Sequence, residues 1–313
     1  PPRSTPLYSS AASDVYKRQD YNKHRHLLTG NQSIALGAIA AGCQFYCAYP
    51  MTPASSILNW LDAKSAQTKM VVKQAEDEIA VMNMAIGAGF AGARSMVGTS
   101  GGGFSLMTEA VGLAAQTETP VVIINSMRGG PSTGLPTKTE QADLFQAIGA
   151  SQGDFPKMVV APSDVRDCFY TVTEAFNIAE KYQIPAIVLS DLLLSEHMET
   201  IEELDFNMEH YKEELAKPNG GRFRRYEFTE NGVSQRSIPG VEGTIFQATS
   251  DEHNDFGDII SDVFTDEEMR AKMQQKRMRK MGYILKELPE PKFCLLYTSP
   301  SPRDATLSRM PAC

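Results

Sequence analysis

The sequence runs to 313 residues, 42% hydrophobic and 22% charged, with a formal net charge of −8 and a pI near 5.3. That length admits one large or two ordinary globular domains. The acidic balance, with no basic stripe against it, argues against nucleic-acid binding, and the longest apolar runs fall far short of the ~20 residues that span a bilayer.

Five cysteines, Cys43, Cys47, Cys168, Cys294 and Cys313, are odd in number and irregular in spacing, so they do not form a disulfide framework and point to a reducing, cytoplasmic setting. Cys43 and Cys47 are four apart in an expected strand and share a face, but no further Cys or His completes a metal pattern. No metal ligand is assigned to this chain. The two ends read as foreign: 1–19 lacks the apolar segment of a signal peptide, 294–313 breaks into Ser/Pro-rich text, and both resemble translated adapter sequence. The natural protein is then truncated at one or both ends.

A small-residue helix is expected over 33–41, stopped by Gly42, with a strand over 44–49 after it. Pro50-Met51-Thr52-Pro53 turns the chain, and Pro53 suits the first position of a helix over 54–66. A short strand, 70–73, leads to Gln74-Ala75-Glu76-Asp77-Glu78 and an Ala/Gly-rich helix. At about 100° per residue, Glu78 shares a face with Met82, Ala85 and Gly89, which puts one carboxylate at the head of a close-packing surface. Either this acid is functional, because a buried carboxylate needs a specific partner, or the three acids are a solvated first turn that complements the helix dipole.

A strand over 95–98 ends in Thr99-Ser100-Gly101-Gly102-Gly103, a helix covers 104–115, and 121–125 is a continuous apolar strand of the kind buried on both faces. The next loop, 127–137, holds three Gly and two Pro in eleven residues, a texture that points to function. Helix 141–149, strand 157–161, a helix capped by Ser163 and running to Tyr182, and strand 185–190 complete the alternation. Strands separated by helices imply an α/β fold with a parallel sheet covered on both faces, where ligands bind at the carboxyl ends of the strands. The turn at 49–53, the turn at 99–103 and the 127–137 loop all belong at that edge.

From about 205 the sequence becomes charged and turn-rich. Thr265-Asp266-Glu267-Glu268 reads as a capping box before a basic helix, the Lys/Arg run at 276–280 as a solvated face, and His253 as a surface hydrogen-bonding residue. The Gly-rich turns lack the P-loop Lys and the G-x-G-x-x-G spacing, so a self-contained nucleotide site is not indicated. Arg128 can hold a carboxylate bidentately or simply tie down its loop, and Thr52 can cap the following helix or present its hydroxyl to a bound acid.

Tyr49-Pro50-Met51-Thr52-Pro53-Ala54-Ser55-Ser56, Gln74-Ala75-Glu76-Asp77-Glu78-Ile79-Ala80, Ile86-Gly87-Ala88-Gly89-Phe90-Ala91-Gly92-Ala93, Thr99-Ser100-Gly101-Gly102-Gly103-Phe104-Ser105-Leu106-Met107 and Arg128-Gly129-Gly130-Pro131-Ser132-Thr133-Gly134-Leu135-Pro136-Thr137 together resemble the alpha subunits of 2-oxoacid:ferredoxin oxidoreductases, the 2-oxoglutarate type above all. The resemblance covers about 28–290, with Gly102 standing where the family pattern has Pro. It implies the pyrimidine-binding domain of the thiamine-diphosphate fold over 20–205, followed by a charged extension over 206–293 toward a further domain. The cofactor would be shared with a beta subunit that carries the diphosphate-binding domain, Mg2+ and an iron–sulfur cluster. Glu78 would hydrogen-bond the aminopyrimidine ring and activate the cofactor, with Tyr49, Pro50, Thr99, Ser100 and Gly101 beside it. Thr52 and Arg128 would bind the substrate carboxylate, with Ser132 and Thr133 lining the substrate site. The implied reaction is oxidative decarboxylation of a 2-oxoacid to its coenzyme A thioester with electrons passed to ferredoxin. Two other readings are half of a transketolase-like or dehydrogenase-type thiamine enzyme, and a non-catalytic scaffolding subunit.

Overall fold

The computed structural model describes residues 24–212, 214–217, 220–261, 266–288 and 290; both presumed foreign ends, Cys294, Cys313 and Thr265 lie outside them. Six parallel strands form the central sheet: β2 (Phe45–Ala48), β3 (Val71–Gln74), β4 (Ser95–Thr99), β5 (Val121–Met127), β6 (Met158–Val160) and β7 (Pro185–Asp191), in the order β3-β2-β4-β5-β7-β6. The chain leaves β2 for the β3 edge but leaves β4 for β5, on the opposite side. The two strands therefore flank a topological switch point, the place where open α/β sheets bind ligands.

Alternation along each strand sends side chains to two separate cores. Tyr46, Val122, Ile124, Ala186 and Val188 face helices α1 (Gly30–Ala40), α2 (Ser55–Thr68) and α6 (Val165–Tyr182). Cys47, Val97, Ile123, Ile187 and Leu189 face α3 (Glu78–Phe90), α4 (Gly101–Gln116) and α5 (Leu144–Ile148). The expected shared face of Cys43 and Cys47 fails here: Cys43 precedes β2 and packs in the first core, Cys47 in the second.

Several boundaries differ from the sequence reading. Helix α4 begins at Gly101, so the glycine triplet is its first turn rather than a separate loop. Helix α2 begins at Ser55, two residues after Pro53. Asp164, not Ser163, caps α6 through the Asp167 amide. The 141–149 helix shrinks to α5. A two-stranded antiparallel sheet, β1 (Arg25–Thr29) with β8 (Met198–Glu202), and a short helix α7 (Leu192–Glu196) were not legible as alternating patterns. Among the described residues no helix is long and apolar enough to cross a membrane.

The charged extension packs across the amino ends of the strands, and here two expectations are overturned. Lys276, Arg277 and Lys280, on helix α8 (Glu267–Glu287), are buried. Their stems thread into the protein because Glu118, itself fully buried in the turn before β5, accepts from Lys276 Nζ and Lys280 Nζ at 2.6 Å each. Arg225 adds a bond to the Glu118 carbonyl at 2.9 Å, and Arg277 grips Glu252 with both ends of its guanidinium. His253 is buried too, its ring centroid 4.0 Å from that of Tyr226 and tilted 42° to it, with Nδ1 at 3.0 Å from the Asp251 carbonyl. A basic run read from sequence as a solvated face thus becomes an internal lattice, because its counterion comes from 158 positions away.

Burial alone would raise the Glu118 carboxyl, but the surrounding Lys276, Lys280 and Arg225 hold it far below the usual carboxylate range. A depressed acid contributes stability that is present above its unfolded value and lost as pH falls through its folded one. Glu118→Gln leaves two ammonium groups buried without a counter-charge and is expected to cost about 3–5 kcal/mol, measured by urea denaturation at neutral pH. In the same variant the acid-side loss of stability shrinks.

Candidate active site

The site is built where the carboxyl ends of β2, β4 and β5 meet the first turn of α4. Glu78 is the first residue of α3, and Asp77 before it caps that helix by accepting from the Ala80 amide at 2.8 Å. With the cap supplied by Asp77, Glu78 is free to turn inward. It is only 4% exposed, and Met82, Ala85 and Gly89 on its face are buried with it. Its Oε1 is buried with no hydrogen-bond partner, an expensive state for a carboxylate oxygen and the mark of an acceptor awaiting a donor. Glu76 and Asp77 are exposed, so of the three acids one alone enters the interior.

Gly103 makes this possible. A Cβ there would lie 2.5 Å from Glu78 Oε1 and closer still to Thr99 Oγ1, so only a hydrogen atom fits between α4 and the acid. At Gly102, by contrast, an added Cβ meets only the Ser132 carbonyl at 3.7 Å, so that position has room for a larger residue. Thr99 and Ser100 are fully buried under this turn, and Ser100 Oγ is also without a partner.

A cleft of about 530 Å³ opens beside the turn, lined by Met51, Gly101, Arg128, Ser132, Thr133 and Asp143 among others. Arg128 Nη1 donates to the Thr52 carbonyl at 2.7 Å, which ties the 128–137 loop to the turn after β2. It is the backbone of Thr52 that receives the guanidinium; its side chain is exposed. Ser132 holds a left-handed backbone at φ 58°, a conformation costly for a non-glycine residue and common at ligand sites. The Thr52-Pro53 and Gly130-Pro131 peptide bonds are both cis.

Of the residues expected from sequence, Arg128, Ser132, Thr133 and Gly101 share the cleft wall. Glu78, Thr99 and Ser100 lie behind it, in contact with the same first turn of α4 or at its entry. Tyr49 and Pro50 are exposed at the end of β2 and do not line the cleft. Sequence reading missed Met51, Asp143 and Gln146 on the cleft wall, and Asn125 on β5. Asn125 had a signal, a polar residue closing the run Val-Val-Ile-Ile; Asp143 had none, because its partner is brought to it by the fold. The Asp143 carboxyl is raised, first by burial and further by Glu140, with the Asn125 amide opposing. Among the described residues no group of three His, Cys, Asp or Glu side chains is placed to hold a metal ion.

The profile of the family described as pyruvate flavodoxin/ferredoxin oxidoreductase, thiamine-diphosphate-binding, matches residues 36–272. A 2-oxoacid:ferredoxin oxidoreductase alpha subunit from Sulfurisphaera tokodaii is 41% identical over 289 residues, covering 88% of this chain and 45% of the relative. The 2-oxoglutarate synthase subunit KorA of Archaeoglobus fulgidus is 45% identical over 201 residues, 64% of this chain and 54% of that one. A solved structure, the 2-oxoglutarate:ferredoxin oxidoreductase of Magnetococcus marinus with 2-oxoglutarate, coenzyme A and succinyl-CoA bound, aligns with a TM-score of 0.81 at 34% identity, over 90% of this chain and 50% of that one. The chain spans about half the length of these relatives.

The Gly103 contact makes a prediction opposite in sign to helix propensity. Gly→Ala within a helix ordinarily gains about 0.5–1 kcal/mol. Gly103→Ala is expected instead to lose about 1–3 kcal/mol through overpacking against Glu78 and Thr99, read from chemical denaturation.

Proposed function

This chain belongs to the pyruvate flavodoxin/ferredoxin oxidoreductase thiamine-diphosphate-binding family, and from that premise we propose that it is the pyrimidine-binding part of the alpha subunit of a cytoplasmic 2-oxoacid:ferredoxin oxidoreductase. The favoured substrate is 2-oxoglutarate, converted by oxidative decarboxylation to its coenzyme A thioester with electrons passed to ferredoxin. A beta subunit supplies the diphosphate-binding domain, Mg2+ and an iron–sulfur cluster. The observation that carries this reading is the unpartnered, buried Oε1 of Glu78 at the switch point of the sheet.

Thiamine diphosphate, when bound, supplies a carbon nucleophile for the 2-oxoacid carbonyl and a sink for the electrons left by decarboxylation. Glu78 fits its aminopyrimidine ring: the orphaned oxygen is an acceptor for a ring-nitrogen proton, and burial strengthens that bond by excluding water. Gly103 lets the first turn of α4 approach the acid, and Gly101 lets it approach the Asp143 carboxylate, so the backbone rather than a side chain borders both groups. Arg128, fixed by the Thr52 carbonyl, retains guanidinium donors for the substrate carboxylate, and Ser132 and Thr133 carry hydroxyls along the same wall.

With the chain assembled on a beta subunit, Glu78→Gln is expected to lower thiamine-dependent decarboxylation by about 100-fold or more, the scale of a lost proton-transfer group. Unchanged turnover in that variant would sink the assignment. Arg128→Ala is expected to raise the KM for the 2-oxoacid by about tenfold or more while leaving the KM for coenzyme A flat, the signature of a lost carboxylate contact.

A further inference from the structure

The loop that carries the substrate-binding residues has little apolar packing of its own. Residues 130–142 are exposed apart from the partly covered Pro136, and Leu135, its one large aliphatic side chain, is 56% exposed. What shape it has comes from hydrogen bonds. Within the loop, the Gly129 amide donates to the Lys138 carbonyl at 3.1 Å and the Leu135 amide to the Gly129 carbonyl at 2.7 Å. Gly134 permits this fold-back, since it is left-handed at φ 55° and a Cβ there would strike the Gly129 carbonyl.

The base of the loop is closed by side chains. The loop leaves β5 at Arg128 and returns at Asp143, whose Oδ2 accepts from Asn125 Nδ2 at 3.1 Å across 18 positions of sequence. Asn125 is fully buried, and a carboxylate can only accept, so the amide is fixed with its NH2 toward the loop. Asp143 stands at the N-cap position of α5 but does not cap that helix; its carboxylate is directed instead at Asn125 and against Gly101, where a Cβ would come within 2.6 Å of Oδ2. Two residues earlier, Gln141 Nε2 donates to Asp191 Oδ2 at 2.5 Å. Asp191 is held in turn, because its Oδ1 caps α7 through the Leu194 amide at 2.9 Å.

We propose that Asp143, with Gln141 as a second fastening, is a positioning residue that clasps the 128–143 loop to the ends of β5 and β7 and so sets Arg128, Ser132 and Thr133 along the cleft. The kinetic part of this inference rests on the 2-oxoacid reading above; the structural part does not. Closing an 18-position loop over an exposed path has an entropic cost that two polar fastenings offset, and without them the guanidinium and hydroxyls sample many orientations.

Four measurements on the alpha chain assembled with its beta subunit test the clasp. Asp143→Ala is expected to raise the 2-oxoacid KM about tenfold while kcat stays within about twofold, because what is lost is substrate placement rather than chemistry. Asp143→Asn restores the wild-type KM, since its amide oxygen still accepts from Asn125 Nδ2. Asn125→Ala and Asp143→Ala combined are less than additive, as residues joined by one bond should be. Hydrogen exchange at the Gly129 and Leu135 amides, a readout independent of turnover, accelerates about tenfold or more in Asp143→Ala and returns in Asp143→Asn. An unmoved KM, unmoved exchange across 129–138, or an Asp143→Asn variant as impaired as Asp143→Ala overturns the proposal. If Glu78→Gln is fully active, the 2-oxoacid reading fails by itself and the exchange data still decide the clasp.

Discussion

The arrangement turns on one close approach, that of the first turn of α4 to the Glu78 carboxylate. A side chain at position 103 would occupy the space that the acid fills, so the acid enters the interior only because that position is glycine. The helix start carries a positive partial charge and helps to keep a carboxylate there, yet Oε1 has no donor of its own. A protein that keeps a buried acceptor unsatisfied tolerates a cost of a few kcal/mol at that spot. A ligand that donates to this oxygen would offset that cost.

Everything around this contact supports it by fixing backbone rather than by adding contacts to the acid. Asp77 takes the capping duty, which releases Glu78 from its own helix. Arg128 bridges the ends of β5 and β2 through the Thr52 carbonyl, and Asn125 and Asp191 receive the far end of the same loop. The switch point thus has rigid strand ends beneath a loop held by polar fastenings, an arrangement that places functional groups precisely without burying them.

At the opposite end of the sheet the design is different. Glu118 between Lys276 and Lys280, Arg236 against Glu180, and Arg277 on Glu252 lock the extension over the amino ends of the strands. Pairs this deep are costly to assemble and more costly to break singly, and those of Lys276, Arg277 and Lys280 fasten α8 to Glu118 and Glu252. They also keep a strongly charged segment off the face where the cleft opens.

The sequence by itself determined the alternation of strands and helices, the parallel sheet, and the edge at which a site would lie, because each rests on local periodicity and on turn chemistry. Helical spacing placed Glu78 on the face of Met82, Ala85 and Gly89 but left open a solvated acidic first turn, and it was the buried carboxylate of the folded chain that separated Glu78 from Glu76 and Asp77. The tertiary structure decided what depends on partners far apart in the chain. Lys276, Lys280 and His253 look like surface residues until Glu118 and Tyr226 arrive beside them, and Asp143 carries no signal until Asn125 is placed under it. Cys43 and Cys47 likewise separate into two cores once the strand's true start at Phe45 is fixed. Periodicity reports which way a residue points along its own element; whether that direction meets water, a counter-charge or an empty acceptor is set by packing, and only the folded chain supplies it.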